Sequence, residues 1–210
     1  MIVSSKIPEC HTSHLRVYDL STQQELGVLT KDDNTVTALA FHTGFLFCGS
    51  ERGKITIYST GNWEEIEVLK GHKDRINSIA VHPTGKMALS VSRDKTMKLW
   101  DLKNGKIVHN KPYLQAPDLV VWNPSGTHYA VLSDRKITVH RVDGTKVRKF
   151  EQRLRINDVC FITDVLLAFG GEEKSVSVFD IGTGNIMYSL TRFDNRVKGI
   201  ATIRKTWQDE

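Results

Sequence analysis

Five times along this 210-residue chain, a short run of alternating apolar residues ends on a ring. The runs are HLRVYD, KITIYS, KTMKLWD, RKITVHR and KSVSVFD, and the rings are Tyr18, Tyr58, Trp100, His140 and Phe179. They are separated by 40, 42, 40 and 39 residues. So narrow a spread marks an internal repeat, and a repeat constrains the fold more than any other feature can. A unit of this length cannot bury its apolar face alone, so neighbouring units must stack on one another.

The clearest unit reads as four strands. INSIAVH (76–82) is the first, and PTG (83–85) turns the chain into KMALSVS (86–92). Arg93-Asp94-Lys95 makes the next turn, TMKLWDL (96–102) the third strand, and Asn104-Gly105 turns into KIVHN, the fourth. Period-two alternation broken by Gly, Pro, Asn and Asp favours strand over helix throughout. The same grammar recurs in WNPSGTHYAVLS (122–133) and DIGTGNIMYSL (180–190). Whole units are expected over 35–70, 75–112, 117–150 and 155–190, with partial ones over 1–30 and 196–203, in one domain spanning 1–210. Four-stranded units repeating at this period are the blades of a β-propeller. The expected fold is therefore all-β, with about five blades.

Composition agrees with an ordinary globular protein, at 40% hydrophobic and 25% charged residues. No stretch approaches the roughly 18 apolar residues of a membrane-spanning helix. The opening MIVSSKIPEC lacks the basic start and apolar core of a signal peptide, which points to an intracellular protein. Cys10, Cys48 and Cys160 are scattered, an arrangement suited to a reducing compartment. Twenty-nine Lys and Arg against 24 Asp and Glu leave a net charge of +5, which suits a solubilising surface and could also attract RNA or an acidic partner.

Gly71-His72 opens the best unit and Trp100-Asp101 closes it. In this the chain resembles the WD-repeat family, and the resemblance implies a buried hydrogen-bonded ladder of His72, Ser92, Asp94 and Trp100. The chemistry is consistent: a carboxylate accepts from imidazole, imidazole meets a hydroxyl, and an indole N–H needs an acceptor. A Ser/His/Asp set also invites a hydrolase triad, but its place inside a repeat and the lack of a G-x-S-x-G elbow favour architecture. Elsewhere the histidine position holds Asp32, Tyr113, Gln152 and Phe193, and the turn aspartate becomes Arg52, Asp134 and Glu173. Seven blades, usual in the family, need roughly 280 residues at this period. The expectation is a fragment of a seven-bladed propeller. The alternative is a closed five-bladed ring in which 196–203 completes the opening blade.

Three stretches narrow the resemblance: GHKDRINSIAVHPTGKMALSVSRDKTMKLWDLKNGK, VVWNPSG and FDNRVKGI. Over most of 30–200 they are similar to the p21-activated kinase-interacting, or Mak-eleven-like, group of WD-repeat proteins. That resemblance implies a non-enzymatic scaffold with no cofactor and no membrane association, located in the nucleolus. Its implied partners are factors of large ribosomal subunit (60S) assembly and the regulatory part of PAK kinases, whose activation by Rho-family GTPases it would oppose.

Three further patterns are candidate sites. Cys10-His11-x-x-His14 has metal-ligand types at short spacing but no evident fourth ligand, and reads as a solvated loop. Arg75, Arg155 and Arg196 each stand just before a first strand, and Arg93 lies in a second-to-third turn expected on the same face. Together they form a candidate partner-binding face for carboxylates or phosphates. The alternative is local ion pairing with Asp74, Asp94 and Asp194. Arg135, Lys136, Arg141, Lys146, Arg148, Lys149, Arg153 and Arg155 make a basic stretch opposed by Asp143 and Glu151. It reads as a solvated sheet edge, with pre-rRNA contact as the functional alternative.

Overall fold

Alternating side chains can bury one set of residues only if the strand carrying them pairs with a neighbour, and here each repeat pairs within itself. The structure, a computed structural model, describes residues 2–6, 13–19, 21–29, 35–191 and 193–202. All regular structure among them is antiparallel strand. No helix among the described residues is long and apolar enough to cross a membrane.

The chain divides into two compact units, Met1–Pro117 and Asp118–Glu210. The first unit opens with a three-stranded sheet of β1 (Ile2–Lys6), β2 (Ser13–Tyr18) and β3 (Glu25–Val28). Next comes β4 (Val36–His42), β5 (Phe45–Ser50), β6 (Lys54–Ser59) and β7 (Glu65–Lys70), in that spatial order. The third sheet is β8 (Ile76–Val81), β9 (Met87–Ser92), β10 (Thr96–Asp101) and β11 (Lys106–Pro112). The second unit holds β12 (Leu119–Trp122), β13 (His128–Ser133), β14 (Lys136–Arg141) and β15 (Lys146–Glu151). Its other sheet is β16 (Ile156–Phe161), β17 (Leu166–Gly171), β18 (Val176–Asp180) and β19 (Ile186–Leu190). One meander per repeat is the all-β, four-stranded blade architecture expected from the 40-residue period, and it matches the WD-repeat propeller that the resemblance implied.

Apolar faces of successive sheets supply the cores. Within the first unit, Phe47, Ile55, Ile57 and Leu69 of one sheet pack with Ile76, Ile79, Ala88 and Trp100 of the next. Within the second, Leu132, Ile137 and Val139 meet Ile156, Val159, Phe169 and Phe179. Phe150 tilts against Phe169 and Phe179 at 4.7 and 5.1 Å between ring centroids.

Backbone carbonyls add a repeated stitch between neighbouring repeats. The Thr37 hydroxyl donates to the Ile76 carbonyl at 2.6 Å, and Asn77 Nδ2 to the Pro117 carbonyl at 2.9 Å. In the second unit, Asn157 Nδ2 donates to the Val197 carbonyl at 2.8 Å. Residues 196–202, expected as a first strand, belong to no sheet. Val197 N–H bonds the Gly171 carbonyl and Ile200 N–H the Asp158 carboxylate, but no second strand pairs with the segment among the described residues.

The turns between second and third strands require a left-handed residue. Gly53 fills it in one repeat (φ 76°), whereas Lys95 (φ 65°), Asp134 (φ 56°) and Lys174 (φ 54°) fill it in others. A side chain there costs about 1–2 kcal/mol, of which a glycine's greater unfolded entropy offsets part. Lys174→Gly should therefore raise the stability of the chain by about 0.5 kcal/mol in urea unfolding, taking the difference between those two effects. An unchanged or lower midpoint would show that this turn is not strained.

Candidate functional site

The third sheet carries the motif that sets the repeat, and its polar groups form one chain of hydrogen bonds. Trp100, on β10, directs its indole N–H to the Ser90 hydroxyl at 2.8 Å. Ser90 Oγ lies 2.7 Å from His72 Nε2, and His72 Nδ1 lies 2.9 Å from Asp94 Oδ2. An indole can only donate and a carboxylate can only accept, so the two middle groups must relay. Ser90 therefore donates to Nε2, and His72 carries its proton on Nδ1 and donates to Asp94. The Lys73 N–H at 2.9 Å, the Thr96 N–H at 2.9 Å and the Thr96 hydroxyl at 2.6 Å also donate to the carboxylate.

His72, Asp94 and Trp100 stand where the resemblance implied, but the hydroxyl between them belongs to Ser90 rather than Ser92. Both serines are on β9, two residues apart and hence on one face. Ser92 lies beside the turn, where its hydroxyl donates to the Asp74 carbonyl at 2.9 Å and accepts the Asp94 N–H at 3.0 Å. It holds the turn that presents Asp94. Only Ser90, one step deeper in the strand, is within reach of the indole. The sequence signal that could have separated them is this distance from the turn.

Gly71 has a matching reason. A Cβ there would stand 2.9 Å from Trp100 Cη2 and 2.6 Å from Ile107 Cδ1, so the indole can lie against the chain only where that atom is missing. The ring also meets the His72 imidazole edge-on, with centroids 6.3 Å apart. Ser90 has no exposed surface. Its hydroxyl is held on both sides, so no substrate atom reaches it and this set cannot act as a nucleophilic triad. In the next repeat His140 takes the Trp100 position and stacks on Tyr129, with centroids 5.2 Å apart.

The same geometry fixes protonation. Burial pushes the His72 imidazole below its ordinary value, against the pull of Asp94. Burial alone would raise Asp94, but hydrogen bonds from Thr96, the Lys73 N–H and His72 outweigh it and hold the carboxyl at about 2. Both groups bind protons less readily in the folded chain than in an unfolded one, so acid favours unfolding. The His72 contribution is whole above its ordinary 6.5 and drains as pH falls below it. That of Asp94 is whole above 3.8 and drains as pH falls towards about 2. The stability gap between the chain and its Asp94→Asn variant should accordingly narrow across this lower window. A gap independent of pH there would contradict the assigned network.

Each of three arginines pairs with an acid of another repeat within its own unit. Arg75 Nε lies 3.8 Å from Glu51, Arg155 Nη2 3.2 Å from Asp118, and Arg196 Nη1 3.3 Å from Glu172. All are half-exposed, so each pair contributes at most about 1 kcal/mol. The acids expected as their local partners lie elsewhere: Asp74 accepts the Arg75 backbone N–H, and Asp94 is in the buried relay. Arg93 is brought next to Arg75, since its N–H donates to the Arg75 carbonyl at 2.8 Å.

The basic stretch is partly engaged. Glu151 holds both Arg135, at 3.4 Å, and Lys149, at 2.8 Å. Arg148 donates to the carbonyls of Ile181 and Gly182. Cys10 and His11 lie outside the described residues, as does the side chain of His14. No cluster of three or more metal-ligating side chains occurs among the described residues.

Sheet order, repeat period and buried relay together define a WD-repeat protein, and a model of the WD domain, G-beta repeat, matches residues 63–101. Over most of its length the chain is similar to proteins of the p21-activated kinase-interacting and MAK11 group. It is 34% identical to a p21-activated protein kinase-interacting protein 1-like protein of Danio rerio over 91% of this chain and 52% of that relative. Identity to the Homo sapiens p21-activated protein kinase-interacting protein 1 is 32%, over 88% of this chain and 47% of the relative. Protein MAK11 of Saccharomyces cerevisiae is 29% identical over 83% of the chain and 47% of its own length. The chain thus spans about half the length of the curated relatives it matches.

Proposed function

We propose that this chain is a non-catalytic docking protein that binds the regulatory part of p21-activated kinases, opposes their activation, and serves nucleolar assembly of the large ribosomal subunit. The carrying observation is likeness over nine-tenths of the chain to kinase-interacting relatives, which include the Shk1 kinase-binding protein 15 of Schizosaccharomyces pombe. Two features of the molecule support a scaffold over an enzyme. The Ser/His/Asp constellation of the third sheet is sealed inside that sheet, and its groups satisfy one another. The arginine side chains of the connections, by contrast, are about half-exposed and lie outside the apolar core clusters.

The test is capture of a purified PAK regulatory segment by the purified chain, with kinase activation assayed alongside. Retention after nuclease treatment, with reduced activation, is the expected result. Loss of capture on nuclease treatment, with affinity falling steeply as salt rises, would instead indicate an RNA-bridged association.

A further inference from the structure

Two of the ion pairs between repeats follow one rule. A third keeps the arginine but takes another acid: Arg155 pairs with Asp118, not with Asp134 directly after β13. At one place the charge itself is reversed. Glu51 stands directly after β5 and Glu172 directly after β17, and each pairs with the arginine that opens the following repeat, Arg75 or Arg196. The residue directly after β9 is Arg93, a reversal of charge. The position that opens the following repeat is Ala116. It precedes Pro117, whose carbonyl takes the Asn77 stitch just as those of Ile76 and Val197 take theirs. Arg93 is exposed, and it alone of the four arginines has no ion pair among the described residues. Its backbone sits against Arg75, so two guanidinium-bearing residues share this turn.

Beside them stands an apolar side chain with nothing over it. Leu114 is 97% exposed, more than any other large hydrophobic described. It is held in place: the Tyr113 N–H before it donates to the Lys95 carbonyl at 2.8 Å, and the Pro117 carbonyl after it accepts from Asn77. Tyr113 is half-buried, with its hydroxyl against Met97 Sδ. A short loop pinned at both ends therefore presents Leu114 next to the turn of Arg93 and Lys95. In the second unit the equivalent pin is the Gln152 N–H on the Arg135 carbonyl, so Arg153 stands at the Leu114 position. Leu154 after it is less than half as exposed as Leu114, at 45%, and Arg155 is already paired with Asp118.

We propose that this cluster is a docking point for an acidic segment of a partner protein, with Leu114 covered by an apolar side chain of that segment and Arg93 and Arg75 holding its carboxylates. The site rests on reading the protein as a docking scaffold, and adds where and by what chemistry a partner is held. An arginine fork bonds a carboxylate through two parallel N–H groups, and an unpaired one breaks no existing contact to do so. Arg75 would exchange a long contact to Glu51 for a better one. A preformed apolar anchor beside those charges needs little ordering on binding.

The test measures fluorescence anisotropy of a labelled glutamate-rich peptide with one central leucine, titrated with the whole chain. Two control peptides replace the glutamates by lysine or the leucine by serine. Arg93→Glu and Leu114→Ser should each weaken binding of the first peptide by roughly tenfold or more, as loss of an interface anchor does. Lys146→Glu, an equal change of charge in the other unit, should leave it unchanged, and all three variants should melt with the parent. No binding of the first peptide, equal loss from Arg93→Glu and Lys146→Glu, or indifference to Leu114→Ser would each overturn the site. Failure of the PAK segment to bind while the peptide does would fault the kinase reading and leave this one standing.

Discussion

Trp100→Ala should destabilise the chain by about 3–5 kcal/mol, the largest loss expected from any single substitution in the third sheet. The indole is fully buried in the core shared by the second and third sheets, against Phe47, Ile55, Ile57 and Leu69. Its removal opens a cavity between those sheets and strands the Ser90 hydroxyl without its donor. Most of the loss is packing, so Trp100→Phe should recover the larger part and leave a polar deficit of about 1 kcal/mol. Urea unfolding of the three proteins separates these terms. A Trp100→Ala midpoint close to the parent's would mean that the second and third sheets do not depend on this ring.

Asp94→Ala should cost roughly 1–3 kcal/mol, because it leaves the buried His72 donor, and with it the Lys73 backbone N–H, without an acceptor. The carboxylate also takes the Thr96 hydroxyl, so the turn between β9 and β10 loosens with it. Asp94→Asn keeps one acceptor oxygen and should fall between. Hydrogen exchange at Lys73 and Thr96 reports the site directly: faster exchange is expected in Asp94→Ala at both amides. Unchanged exchange would place the carboxylate outside the network.

The repeat period and its four-stranded grammar were legible in the residues because both are periodic. Apolar alternation marks each strand, turn residues mark each end, and the rings mark the register. The ladder was legible in type but not in detail. Ser90 and Ser92 share one face of β9, and only the reach of an indole from Trp100 chooses between them. Contacts between repeats were less visible still. The triplets Arg75-Ile76-Asn77 and Arg155-Ile156-Asn157 recur openly, yet the partners of Asn77 and Asn157 are carbonyls some 40 residues away. Likewise, the sequence carries no sign that Glu51 and Glu172 pair with Arg75 and Arg196, because adjacency along the chain favours Asp74 and Asp194. Leu114 carries no signal in the residues themselves, since exposure of a single leucine depends on how its loop is pinned.

A double-mutant cycle between Trp100→Phe and Ser90→Ala, measured by urea unfolding, tests the buried relay most directly. Groups in contact couple by about 0.5–3 kcal/mol, whereas independent sites add. The indole N–H and the Ser90 hydroxyl should couple within that range, while Trp100→Phe and Ser92→Ala should be additive. Additivity at Ser90 with coupling at Ser92 would contradict the relay.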